Sequence, residues 1–151
     1  MPDIHIEEFY SDVAKILLQL YANFPKLSTV YVEDISGPDT IDEYGLHSER
    51  HLNCFAAMLW LQQHDYIYFD ETIRQEAIAQ ATITQKCLLL LSARTAFFLD
   101  QNTDKLAQLP SSVAQEQITN INTLRQLLKN GSSIQLNEAV HHILECAQYN
   151  N

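Results

Sequence analysis

A mainly α-helical fold with a small β-sheet is what this sequence predicts, and three observations predict it. Apolar residues recur at three- and four-residue steps over Ile6–Phe24 and again over Glu49–His64. Short β-branched and aromatic runs, Ser28–Ile35, Tyr66–Phe69 and Gln80–Ile83, stand between and after these segments. Helical periodicity then returns over Val113–Asn130 and Gln135–Gln148, so a helix-and-strand core is followed by a C-terminal two-helix hairpin.

The first helix carries Phe9, Val13, Ile16, Leu17 and Leu20 on one stripe, with Glu7, Glu8, Asp12, Lys15 and Gln19 assigned to the solvent side. Its glutamates sit in the first turn, where the helix dipole favours them, and Pro25 stops it. Ser28–Ile35 reads as the first strand, broken by Gly37-Pro38. Pro38 is placed to open a short helix through Tyr44, and Gly45 to turn the chain into the next element. Ser48 is the expected N-cap of the helix Glu49–His64. Leu52, Phe55, Ala56 and Leu59 should pack on the first helix, leaving Cys54, Ala57, Met58 and Leu61 outward with Trp60 on the flank. A helix apolar on both sides needs a cover on each, so the outward side should meet a partner.

Tyr66–Phe69 reads as the second strand and Gln80–Ile83 as the third. Between them Asp70–Ala79 has three acids, one arginine and no hairpin Gly or Asn, so it suits a helical turn as well as a loop. Thr84 caps a helix from Gln85 to about Leu99, with Leu88, Leu91, Thr95 and Phe98 on one side. Tyr66-Ile67, followed after an insertion by Ile83-Thr84-Gln85-Lys86-Cys87 and a leucine run, resembles the Gly-Tyr-Ile … Leu-Thr-x-Lys-Gly block of bacterial winged-helix proteins. Asp65 and Cys87 replace the glycines usual there. The resemblance covers roughly residues 6 to 99. It implies a winged-helix core in which Glu49–His64 is the recognition helix and Asp70–Ala79 the wing. The superfamily holds repressors, replication factors and interaction modules, so it implies a fold and not a reaction.

The polar stretch Asp100–Ser112, with Pro110 inside, is the expected boundary. It divides the chain into residues 1–99, a linker 100–112, and a helical hairpin 113–151. In the hairpin Ile118, Ile121, Leu124, Leu127 and Leu128 line the first helix, Leu136, Ala139, Val140, Ile143 and Leu144 the second, and Gly131 closes the turn. So small a hairpin cannot bury both stripes alone, so it should lie back on the first domain or pair with a second copy.

Nineteen acidic residues against nine basic ones leave a formal charge of −10, a field that repels phosphates and anionic membranes. Cys54, Cys87 and Cys146 lie far apart without a CxxC, which suits reduced thiols. No basic-then-apolar leader opens the chain, and no apolar run approaches the ~20 residues that span a bilayer. A cytoplasmic protein with no membrane association is expected.

Candidate chemistry is sparse. His47, His51 and Cys54 approach metal-ligand spacing, yet His47 precedes the cap and no second ligand pair appears, so two surface histidines and a buried thiol are expected instead of a metal site. His141 and His142 diverge by ~100° on a helix, and the acidic pairs Glu7-Glu8, Glu33-Asp34, Asp42-Glu43 and Asp70-Glu71 read as solvated faces. Three glycines cannot make a phosphate cradle, and cysteines in apolar helices are poor nucleophiles. Tyr31, Tyr66, Tyr68, Phe69 and Trp60 read as core and interface packing, not as a base-stacking platform. The expectation is a non-catalytic protein without cofactor that acts through protein–protein contacts as a homodimer, using Met58, Trp60, Leu61, Leu124, Leu128 and Ile143. The alternative is a dimeric DNA-binding transcriptional regulator that would use Arg50, Asn53, Arg74 and Lys86. A small-molecule sensor with a pocket between the two parts is a third reading.

Overall fold

The structure is a computed structural model, in which residues 3–94 and 119–149 are described. It is mainly α-helical with a four-stranded antiparallel sheet. In order these are α1 (Ile4–Asn23), β1 (Ser28–Tyr31), α2 (Val32–Ser36), α3 (Glu49–Gln63), β2 (Ile67–Tyr68), β3 (Glu71–Ile73), β4 (Ala77–Ile83), α4 (Gln85–Ser92), α5 (Asn120–Asn130) and α6 (Ser133–Tyr149). Contacts divide the chain into two units, Met1–Cys87 and Leu88–Asn151. Residues 95–118, which include the expected linker, the helix start at Val113 and the positions Thr95, Phe98 and Ile118, lie outside the described residues.

In the first unit α1 buries Val13, Ala14, Ile16, Leu17 and Leu20 and packs on α3 and β4. The first strand ends at Tyr31, four residues before the expected end, and the chain turns once as α2. Val32 and Ile35 are the buried pair there, and a spacing of three puts both inward on a helix but not on a strand. No helix forms after Pro38. The Asp42 carboxylate instead accepts from the backbone N–H groups of Tyr44 and Leu46, both at 2.9 Å, and Gly45 takes φ +79°. Asp competing for backbone donors in this way favours a turn over a helix. The turn brings Asp39 back beside the start of α3.

Ser48 caps α3 as expected, its hydroxyl accepting from the His51 N–H. The rotation of the helix is the reverse of the expected one. His51, Cys54, Ala57, Met58 and Leu61 are buried, while Leu52, Asn53 and Ala56 are exposed and Phe55 and Leu59 half-buried. The cause is polar. Arg50 lies on the same side as Cys54 and Met58 and grips Asp12 of α1 through both guanidinium nitrogens, Nη1 at 2.7 Å from Oδ2. Asp12, assigned from sequence to the solvent side of α1, is therefore in the core.

β4 is the middle strand, with β1 on one side and β2 and β3 on the other. It starts at Ala77, three residues earlier than expected, because the acidic interruption is a hairpin and not a helical turn. Arg74 supplies the left-handed residue (φ +51°) that glycine or asparagine usually provides, and the Glu76 N–H closes on the Ile73 carbonyl at 3.0 Å. Gln80, at φ +53°, marks the irregularity between the β3-paired and β2-paired halves of β4.

The helix α4 begins in the last residues of the first unit and stops in the second at Ser92, short of the expected Leu99. Asn120 occupies its terminal carbonyls, the side-chain amide donating to Leu90 O at 2.8 Å and the backbone N–H to Ala93 O at 2.9 Å. Thr119 caps α5, so that helix begins at Asn120. Ile121 and Leu124 of α5 and Leu136, Ala139, Val140 and Ile143 of α6 are buried. Gly131 joins the two helices at negative φ. A Cβ there would lie 2.6 Å from the Leu127 side chain and 2.9 Å from its backbone, so close approach requires the glycine.

Arg50→Met should strand the buried Asp12 carboxylate and cost about 2–4 kcal/mol, below the ~3–5 of a fully buried pair because part of Arg50 reaches solvent. Asp12→Leu combined with Arg50→Met should recover most of that loss in urea unfolding, and a double variant as unstable as the single one would refute the orphaned-charge account.

Candidate functional site

Four of the six residues expected at a protein interface are not available to one. Met58 and Leu61 are fully buried in the first unit, and Leu124 and Ile143 are buried within the chain. Trp60 is half-buried, its ring edge-on to Phe9 at 5.1 Å and stacked on Tyr66 at 5.9 Å, and Leu128 is also half-buried. For Met58 and Leu61 the correction follows from the rotation of α3. Its outward stripe consists of Leu52, Phe55, Ala56 and Leu59, with Leu52 36% exposed. No Asp, Glu, Lys or Arg occurs between Arg50 and Asp65, so this stripe is free of formal charge.

The four residues considered for DNA divide differently. Arg50 is committed to Asp12, with Glu8 a further 3.7 Å away, and that pairing raises its already high pKa. Lys86 lies 4.8 Å from the Tyr66 ring centroid and within 3.4 Å of the His64 carbonyl. Asn53 and Arg74 are exposed, on α3 and at the hairpin tip. The four are thus spread over separate features and form no basic surface.

A polar cluster at the start of α3 is the most organised group of titratable side chains among the described residues. Asp39 (3% exposed), His47 (12%) and His51 (1%) bring ligand-type atoms to within 4.8 Å of one another. Asp39 Oδ2 is 2.7 Å from His47 Nδ1 and 3.6 Å from His51 Nδ1. The two imidazoles are stacked, 3.9 Å apart and 5° from parallel. Asp39 Oδ1 accepts from the Ser48 hydroxyl and, at 3.3 Å, from the Ser48 N–H. The Ser48 hydroxyl bond, reinforced by His47 and opposed by burial, holds the Asp39 carboxyl at a pKa of about 2, so it is a carboxylate at neutral pH.

The far sides of both rings face the hairpin: His51 Nε2 is 2.7 Å from the Gln75 carbonyl and His47 Nε2 is 3.9 Å from Glu76 Oε1. The spacing of His47 and His51 was visible in the sequence, but both were expected at the surface, and they are 12% and 1% exposed instead. Asp39 was not legible, because the Asp42–Gly45 turn brings it into place from eight residues upstream. Cys54, which shares the spacing but was expected as a buried thiol, is buried and not in the cluster.

The two buried thiols, Cys54 and Cys87, show no nucleophilic activation. Burial, with the nearby Asp12 charge, pushes Cys54 up to about 12, and burial does the same to Cys87. Cys146 of α6 is half-buried, 3.5 Å from His142 Nε2. No described helix is long and apolar enough to cross a membrane. Comparison with protein-family models, curated proteins and solved structures finds no match to this chain.

At pH 8 iodoacetamide should modify Cys146 in the folded protein while Cys54 and Cys87 react only on unfolding, as read by mass spectrometry of the intact chain. Alkylation of Cys54 or Cys87 at the Cys146 rate would contradict the buried-thiol assignment.

Proposed function

We propose that this is a non-catalytic protein of winged-helix type that works through protein contacts, and that a second copy of the chain meets the outward stripe of α3. One observation carries the reading. In a chain of charge −10, residues 52–63 hold no acid or base, yet Leu52 and Ala56 face solvent. Two acidic molecules repel over most of their surface, so a charge-free helix face is where copies can approach without opposing like charges. A two-fold axis beside α3 would place Leu52 and Ala56 against their own counterparts, the usual closure for a soluble dimer. The same stripe is a poor reader of base edges, because the arginine nearest to it is held by Asp12.

Light scattering at high micromolar concentration should give twice the chain mass, and Leu52→Glu should return a monomer. The substitution is at the surface, so unfolding stability should move by no more than ~0.5 kcal/mol. A monomeric wild-type protein would remove the dimer. Duplex DNA binding at ~50 mM salt that falls steeply as salt rises would favour the transcriptional regulator instead.

A further inference from the structure

We infer that Asp39, His47 and His51 form a binding site for one divalent transition-metal ion of the zinc type, with Asp39 Oδ2 and the Nδ1 atoms of both histidines as ligands. The starting observation is an atom without a partner. His51 Nε2 sits 2.7 Å from the Gln75 carbonyl, which can only accept, so Nε2 carries a proton and, in the neutral ring, Nδ1 presents a lone pair. That lone pair is buried, makes no hydrogen bond, and faces the ionised Asp39 carboxylate across 3.6 Å. A neutral His51 would leave this nitrogen and the Asp39 carboxylate as two buried acceptors 3.6 Å apart, an arrangement that a positive charge between them stabilises. A proton on Nδ1 would give an ion pair at 3.6 Å but no hydrogen bond, whereas a metal ion would bond to both atoms. Zinc–nitrogen and zinc–oxygen bonds of about 2.1 Å put two ligands of a tetrahedral ion roughly 3.4 Å apart.

The supports that orient metal ligands are also in place. The Gln75 carbonyl fixes the tautomer of His51, and Ser48 holds the second oxygen of Asp39. His47 now donates from Nδ1 to Asp39. On loading, that proton leaves Nδ1 and Nε2 becomes the protonated nitrogen, turned toward Glu76 Oε1 3.9 Å away. The imidazoles tilt from their stack to converge on the ion. One carboxylate and two imidazoles suit a borderline ion such as Zn²⁺ or Co²⁺ better than Mg²⁺ or Ca²⁺, and solvent would complete the coordination. The ligands come from the loop after α2 and the first turn of α3, and their supports from the β3–β4 hairpin. An ion would therefore tie three segments of the first unit together. The site is on the core-facing side of α3, away from the stripe at Leu52 and Ala56, so it stands or falls independently of the dimer.

The test uses the full chain, freed of any affinity tag and stripped with a chelator. Titration with Co²⁺ should produce visible absorption bands that saturate at one equivalent, and Zn²⁺ should abolish them and raise the melting temperature. His47→Gln should weaken Zn²⁺ at least tenfold against a chromophoric chelator, with the circular dichroism of the metal-free protein unchanged. Glu76→Gln should have a smaller effect in the same direction. Should His51→Gln fail to fold, His47, the more exposed of the two rings, still decides the matter. Absence of one-equivalent binding, or equal affinity in wild type and His47→Gln, would overturn the assignment.

Discussion

The Arg50–Asp12 pair sets the first unit. A carboxylate taken into the core is costly unless a cation meets it with good geometry, and the two-nitrogen grip of Arg50 supplies that. Once α1 carries Asp12 on its inner side, α3 must turn so that Arg50 reaches it. That rotation sends His51, Cys54, Met58 and Leu61 inward and leaves Leu52, Asn53 and Ala56 outside. Both functional proposals inherit the choice, since it exposes the uncharged stripe and carries His51 in beside Asp39.

The elements themselves were largely readable. Pro25 and Ser48 mark helix ends by chemistry that needs no tertiary context, and α1, α3 and α6 follow the apolar period to within two residues. What failed was the use of charge as a sign of solvent. Asp12 and Arg50 were each assigned outward because nothing in the local pattern of either helix shows that a partner waits 38 residues away. The helix α3 is apolar nearly all round, so its period alone cannot choose a face. The polar pair breaks the tie.

The hairpin and the polar cluster illustrate the same limit. Arg74 adopts a left-handed conformation that its residue type does not advertise, so the turn after β3 carried no Gly or Asn signal. Asp39 enters the cluster only because the Asp42–Gly45 turn folds the loop back. His47 and His51 were visible as a spacing, but their meaning depends on which third group faces them. Spacing set Cys54 beside them without making a site. The fold supplies Asp39, and commits Cys54 to the core beneath Arg50.

The orientation of α3 is the claim on which the rest stands, and Met58 reports it directly. The chain has two methionines, so a spectrum of methionine methyl groups is simple to assign. With a soluble paramagnetic relaxation agent added, at a concentration where scattering reports a monomer, the Met58 methyl should keep its full intensity. Strong broadening of that signal in the folded monomer would place Met58 on the surface and contradict the account.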